Sequence, residues 1–109
     1  MINIKMPLSE GDILLLEDIF LKNGIHRLKF ANLEDSRFVV ASLLSALGCY
    51  NKIAFIGDDA IIKNSDFCFD FLYIEKSDKI LKQSWYKKFC KDLKFYQIDR
   101  AIPIIEVEI

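Results

Sequence analysis

The chain has 109 residues, 52% of them hydrophobic and 28% charged, with nine Phe, four Tyr and one Trp. That composition excludes a disordered polyelectrolyte and suits one domain able to bury a core without metal or disulfide support. The net charge of −1 removes any global drive toward nucleic acid, but the charge is uneven: residues 1–75 carry seven Lys/Arg against eleven Asp/Glu, residues 76–94 seven Lys against two Asp, and residues 95–109 one Arg against three Asp/Glu.

No apolar stretch approaches the ~20 residues a spanning helix needs. Glu10 and Asp12 come too early for a secretory leader, so the mature chain is expected to begin near Met1 and to work in the cytoplasm. Cys49, Cys68 and Cys90 are odd in number, widely spaced and outside any CxxC or CxxH pattern. Reduced, mostly buried thiols are expected, with no metal and no cofactor. No repeat, low-complexity tract or Pro/Gly/Ser linker divides the chain, which reads as a single α/β domain over residues 1–109.

In chain order, Ile2, Ile4 and Met6 alternate with Asn3 and Lys5 in a short extended lead-in that Pro7 stops. Ser9 caps a first helix, with Glu10 and Asp12 in its first turn, running to about Lys22 and ended by Asn23-Gly24. Ile25–Ala31 reads as a strand, and Asn32–Asp35 as a polar turn. A second helix spans about Ser36–Leu47 through Val39, Val40, Leu43, Leu44 and Leu47, and Gly48 ends it. Ile53–Ile56 is a strand apolar on both faces, closed by Gly57-Asp58-Asp59, as in a sheet covered by helices on both sides. A short helical turn is expected over Asp59–Lys63 and a strand over Phe67–Ile74. Ser77 caps a third helix to about Leu93, with Leu81, Trp85, Phe89 and Leu93 as its apolar stripe. Lys94–Ile98 reads as a strand, and Pro103 opens a last one in which Ile105, Val107 and Ile109 alternate with Glu106 and Glu108.

Strands separated by helices imply parallel pairs joined by right-handed crossovers. The expected fold is a Rossmann-like or degenerate RecA-like α/β sandwich, with a mostly parallel sheet of four to five strands and about three helices. The glutamate-bearing last strand is expected as an antiparallel edge.

Ile25–Gly57 has the strand–loop–helix–strand plan of a phosphate-binding unit, where glycines let backbone amides close on phosphate and a lysine neutralises it. The corresponding stretch, Ala31-Asn32-Leu33-Glu34-Asp35-Ser36-Arg37, has no glycine or lysine and places two acids there. Nucleotide hydrolysis of that kind is excluded on charge. Glu75, after the apolar run Phe71–Ile74, stands where a magnesium-holding carboxylate would, or simply faces water. This plan with an eroded loop resembles degenerate RecA-like domains, relatives of P-loop ATPases that kept the fold and lost the site. The nucleotide-free amino-terminal domain of the bacterial cellulose-secretion protein BcsE is one of that kind. The likeness covers residues 10–75 and implies a scaffold or regulatory subunit of a larger bacterial machine, with no residue role carried across.

Lys52–Asp59 resembles the first strand and acidic pair of a phosphoacceptor domain, but the next strand arrives too soon. An atypical nucleotide or phosphoacceptor site would centre on Asp58, Asp59 and Glu75. The single histidine, His26, sits in a strand with no nucleophile motif nearby and reads as structural. Two surfaces remain as candidates. Lys79, Lys82, Lys87, Lys88 and Lys91, beside Trp85 and Tyr86, make a basic helix face that could meet an acidic protein, a second copy or nucleic acid. Ile104, Ile105, Val107 and Ile109 form a terminal strand that either completes its own sheet or adds to a partner. The reading is a non-enzymatic interaction module for a protein partner or a second copy of itself, with nucleic acid as the alternative and no membrane insertion.

Overall fold

A capping box starts the first helix. Ser9 Oγ accepts from the Asp12 N–H and Asp12 Oδ2 from the Ser9 N–H, both at 3.1 Å. These bonds satisfy donors that the helix leaves open. The structure, a computed structural model, describes residues 1–58 and 68–109; the helical turn expected at Asp59–Lys63 and the strand start at Phe67 lie outside the described residues. Among the described residues the order is β1 (Ile2–Asn3), α1 (Glu10–Phe20), β2 (Gly24–Lys29), α2 (Leu33–Leu47), β3 (Ile53–Ile56), β4 (Phe71–Glu75), α3 (Asp78–Leu81), α4 (Ser84–Asp99) and β5 (Pro103–Glu108). Gly24 (φ +109°) and Gly48 (φ +60°) take left-handed conformations where α1 and α2 give way to the next segment.

The five strands form one all-parallel sheet in the order β1-β2-β5-β4-β3. The α/β, Rossmann-like class is therefore as expected. From β1 to β3 the chain advances to the far edge, and from β3 to β5 it steps back. Right-handed crossovers then put α1 and α2 on one face and α3 and α4 on the other. The packing agrees. Leu16, Ile19 and Phe20 of α1 and Val39, Val40 and Leu43 of α2 share a core with Leu28, Phe71, Tyr73, Ile105 and Val107. On the opposite face Ile80, Tyr86, Phe89 and Leu93 pack on Ala54, Ile56, Leu72, Ile74 and Ile104. Strand residues alternate between the two cores, as the pleat requires.

Three expectations are corrected. First, β5 is no antiparallel edge: it is parallel and central, paired with β2 and β4. Its Glu106 is buried on the α4 face because Arg27, its register partner on β2, and Lys76 neutralise it at 3.3 and 2.9 Å. Second, Lys94–Ile98 is not a strand but the last turns of α4. Tyr96 continues the buried stripe and donates its hydroxyl to the Phe69 carbonyl (2.9 Å), and Gln97 bonds both backbone groups of Ile102. Third, the single helix expected from Ser77 to Leu93 is two. A stripe spaced strictly by four drifts about 40° per step on a helix with 3.6 residues per turn. The break at Lys82-Gln83 resets it, burying Ile80 and leaving Leu81 exposed.

Candidate functional site

In an open parallel sheet the crevice outside the strands' carboxyl ends, where the winding direction reverses, is the usual ligand site. Here the reversal falls around β5, flanked by β2, whose exit leads to α2, and β4, whose exit leads to α3. A cavity of about 340 Å³ lies there, lined by Leu33, Asp58, Glu75, Lys76, Ser77, Asp78, Val107 and Ile109.

Glu75 ends β4 at 4% exposure. Arg37, in the second turn of α2, donates to it from Nε and Nη2, both at 2.8 Å. The Tyr73 hydroxyl donates to the same carboxylate at 2.7 Å and accepts from the buried Ser36 Oγ at 2.7 Å. Burial and the neighbouring carboxylate hold the Tyr73 hydroxyl well above its ordinary pKa, so it serves as a donor. The Arg37 guanidinium also lies 5.6 Å from the centre of the Phe55 ring, within cation–π range. Gly57 is part of the fit, since a Cβ there would come 2.6 Å from Glu75 Oε1. Ser36, Tyr73, Glu75 and Arg37 thus form one hydrogen-bonded chain pinning α2 to β4.

This placement corrects both readings of Glu75: it neither faces water nor offers open coordination to a cation. Asp58 accepts from Ser77 Oγ at 2.6 Å, while Ser77 also accepts from the Ile80 N–H at the start of α3. Asp59 lies outside the described residues. Among the described residues no group of three or more His, Cys, Asp or Glu is arranged to hold a metal ion. The stretch Ala31–Arg37 becomes the entry of α2. Asn32 caps it by accepting from the Asp35 N–H at 2.8 Å, and Glu34 and Asp35 stand in the first turn. Carboxylates there complement the helix's own positive end and repel an incoming anion.

The lysine row divides between α3, the following bend and α4. Lys79, Lys82, Lys87, Lys88 and Lys91 are all exposed. Their aromatic neighbours are not surface platforms: Tyr86 is buried in the core and Trp85 half-buried against it, edge-on to Phe89. Sequence reasoning missed what lies beyond the lysines. Phe95 (63% exposed) and Ile98 (78%) continue the outward face of α4, hidden in the sequence by the strand-like look of residues 94–98.

The terminal strand is committed inside the sheet. Ile104, Ile105 and Val107 are fully buried and hydrogen-bonded on both sides, so strand addition there is overturned; Ile109 alone of the four is exposed. His26 donates from Nε2 to the Lys22 carbonyl at 3.0 Å, bracing the turn between α1 and β2. The three cysteines are free; Cys49 and Cys68 are exposed and Cys90 is half-buried, against the expectation of mostly buried thiols. Each lies in a segment whose burial the local pattern does not reveal.

Two further features emerge from the fold. A nearly wholly apolar groove of about 270 Å³ runs between α2 and the edge strand β3, lined by Arg37, Val40, Ala41, Leu44, Ile53, Phe55 and Tyr73. On the α4 side of the sheet the core cluster takes in no residue of β1 or β2, and Ile25, Arg27 and Lys29 of β2 are exposed. No helix among the described residues is long and apolar enough to cross a membrane. Comparison with family models, curated proteins and solved structures finds no match for this chain.

Proposed function

We propose that the chain is a non-enzymatic protein–protein interaction module, an adaptor or regulatory subunit of a larger bacterial assembly working in the cytoplasm. The observation that carries this reading is the split between crevice and surface. The acid at the end of β4 is closed by Arg37 and Tyr73, while large apolar side chains stand on outward helix faces: Leu14 at 67% exposure, Phe38 at 65%, and Phe95 and Ile98 on α4. Large apolar side chains left bare on both sides of the sheet are area available to a partner. The likeness to degenerate RecA-like domains fits the same reading, because α2 starts with acids where a phosphate loop would start with glycines. Size-exclusion chromatography with light scattering, on the protein alone and after retrieval from its source cell, tests the proposal. A complex of defined stoichiometry supports it, and a strict monomer that retains no partner contradicts it.

Nucleic-acid binding is the weaker reading. The lysine row and the exposed Phe95 favour it, but Tyr86 is in the core and Trp85 is half-buried, so the aromatics beside the lysines in sequence are not open platforms for base stacking. Replacing Lys82, Lys87 and Lys88 by Glu would abolish any such binding, and an unmodified protein with no salt-dependent affinity for an oligonucleotide removes the idea.

A further inference from the structure

The outward faces of α1 and α4 are chemical opposites. At 100° per residue, Glu10, Leu14, Glu17, Asp18 and Leu21 fall within an arc of about 100° on α1 and its cap. Leu14 and Leu21 are exposed on that arc, and α1 carries four acidic residues and no basic one within its span. Lys22, just beyond, pairs with Asp18 at 2.7 Å, an exposed contact that readily exchanges partners. On α4, Lys87, Lys88, Lys91, Lys94, Phe95 and Ile98 share an arc of about 120°. All six are exposed, and the helix holds four lysines against two aspartates. Each face therefore has a pair of bare apolar side chains set among charges of one sign, and the two signs differ.

Within one chain these faces cannot meet, because α1 packs on one side of the sheet and α4 on the other. We propose that they meet between molecules: the α1 face of one copy docks on the α4 face of a second, with Leu14 and Leu21 against Phe95 and Ile98 inside a rim of Glu/Asp–Lys pairs. This rests on the interaction-module reading and names its occupant, a second copy of this chain. The contact is heterologous, so each added molecule leaves one face of each kind open, and assembly continues into a ring or a filament instead of stopping at a two-fold dimer. Opposite charges at the rim speed encounter and enforce orientation, and salt weakens the contact.

Sedimentation velocity on the full chain tests this, with samples up to about 1 mM, a range that reaches weak contacts. The expected result is a mean mass that climbs past the dimer with concentration at low salt and falls toward the monomer at high salt. Two variants alter exposed side chains only: Leu14→Lys/Asp18→Lys blocks the α1 face, and Phe95→Ser/Ile98→Ser blocks the α4 face. Circular dichroism and melting confirm that each is folded. Each variant alone stays monomeric, and an equimolar mixture doubles in mass and stops there, since one open face of each kind remains. An unmodified protein that stays monomeric overturns the proposal, as does a mixture of blocked variants that does not pair or a blocked variant that self-associates. The interaction-module reading fails separately: a monomer that retains a different protein overturns the second-copy assignment alone, and one that retains nothing overturns both.

Discussion

Replacing Arg37 by Met tests whether the ion pair across the crevice holds the fold. Met preserves the aliphatic stem and removes two 2.8 Å donors from a carboxylate that is 4% exposed. Breaking a buried pair from one side generally costs about 3–5 kcal/mol, because the remaining charge stays buried without its partner. The Arg37 side chain is 40% exposed, so solvent already screens part of the interaction and the lower end applies, about 3 kcal/mol. For a domain of this size that lowers Tm by roughly 12 °C or more. Glu75→Leu removes the buried charge instead and leaves a guanidinium that water reaches, so its cost is smaller, about 1 kcal/mol. In the double variant both charges are gone, and about 2 kcal/mol of the summed loss returns as coupling. Urea unfolding followed by far-ultraviolet circular dichroism measures all four proteins. An Arg37→Met variant within about 0.5 kcal/mol of the parent, the size of an ordinary surface substitution, refutes the reasoning, and so does strict additivity in the double variant.

Gly57→Ala is expected to destabilise by about 1–3 kcal/mol in the same assay, because the added Cβ meets Glu75 Oε1 at 2.6 Å and the Phe55 ring at 2.9 Å while Arg37 keeps the carboxylate from retreating. Asp70 sits before β4 and accepts from the Asn51 and Lys52 N–H groups, both at 2.9 Å. Burial pushes its pKa up, but those backbone donors outweigh burial and hold it below the ordinary 3.8. Its contribution is therefore complete above pH 3.8 and disappears as pH falls through the lower folded value, so Asp70→Asn is less stable than the parent near neutrality and converges with it in strong acid. Tyr50 donates its hydroxyl to the Phe20 carbonyl, and burial, with Cys49 and Asp70 nearby, raises its pKa from 10.0 to about 12. That stability is complete below pH 10.0 and is lost as pH rises toward about 12, so Tyr50→Phe should flatten the alkaline limb of the unfolding curve.

Local signals carried most of the fold. The Ser9 cap, the left-handed glycines at positions 24 and 48 and the doubly apolar runs at 53–56 and 71–74 mark α1, the joints after it and two strands within a few residues. What local pattern could not reveal depends on partners distant in sequence. Glu106 and Glu108 alternate with apolar residues as on a half-solvated edge, yet β5 is central because Arg27 and Lys76 neutralise Glu106. Phe95 and Ile98 look strand-like by residue type, and the bond from Tyr96 to the distant Phe69 carbonyl docks the segment as helix, with Gln97 bracing the turn that follows. The candidate surface was half legible for the same reason. The lysines stood out from composition, whereas the apolar end of their face became visible once the helix was known to run to Asp99. The eroded loop was legible as a charge pattern, but Arg37 closing on Glu75 bridges 38 positions in the chain and no local motif announces it.

The most direct test of a crevice closed from within is an amide NMR titration with magnesium and ATP. If Arg37 and Tyr73 occupy the Glu75 carboxylate as described, the amides of residues 32–37 and 75–78 keep their positions throughout the titration. Saturable shifts confined to those two segments, abolished by Glu75→Gln, would show that the carboxyl ends of these strands bind a nucleotide after all.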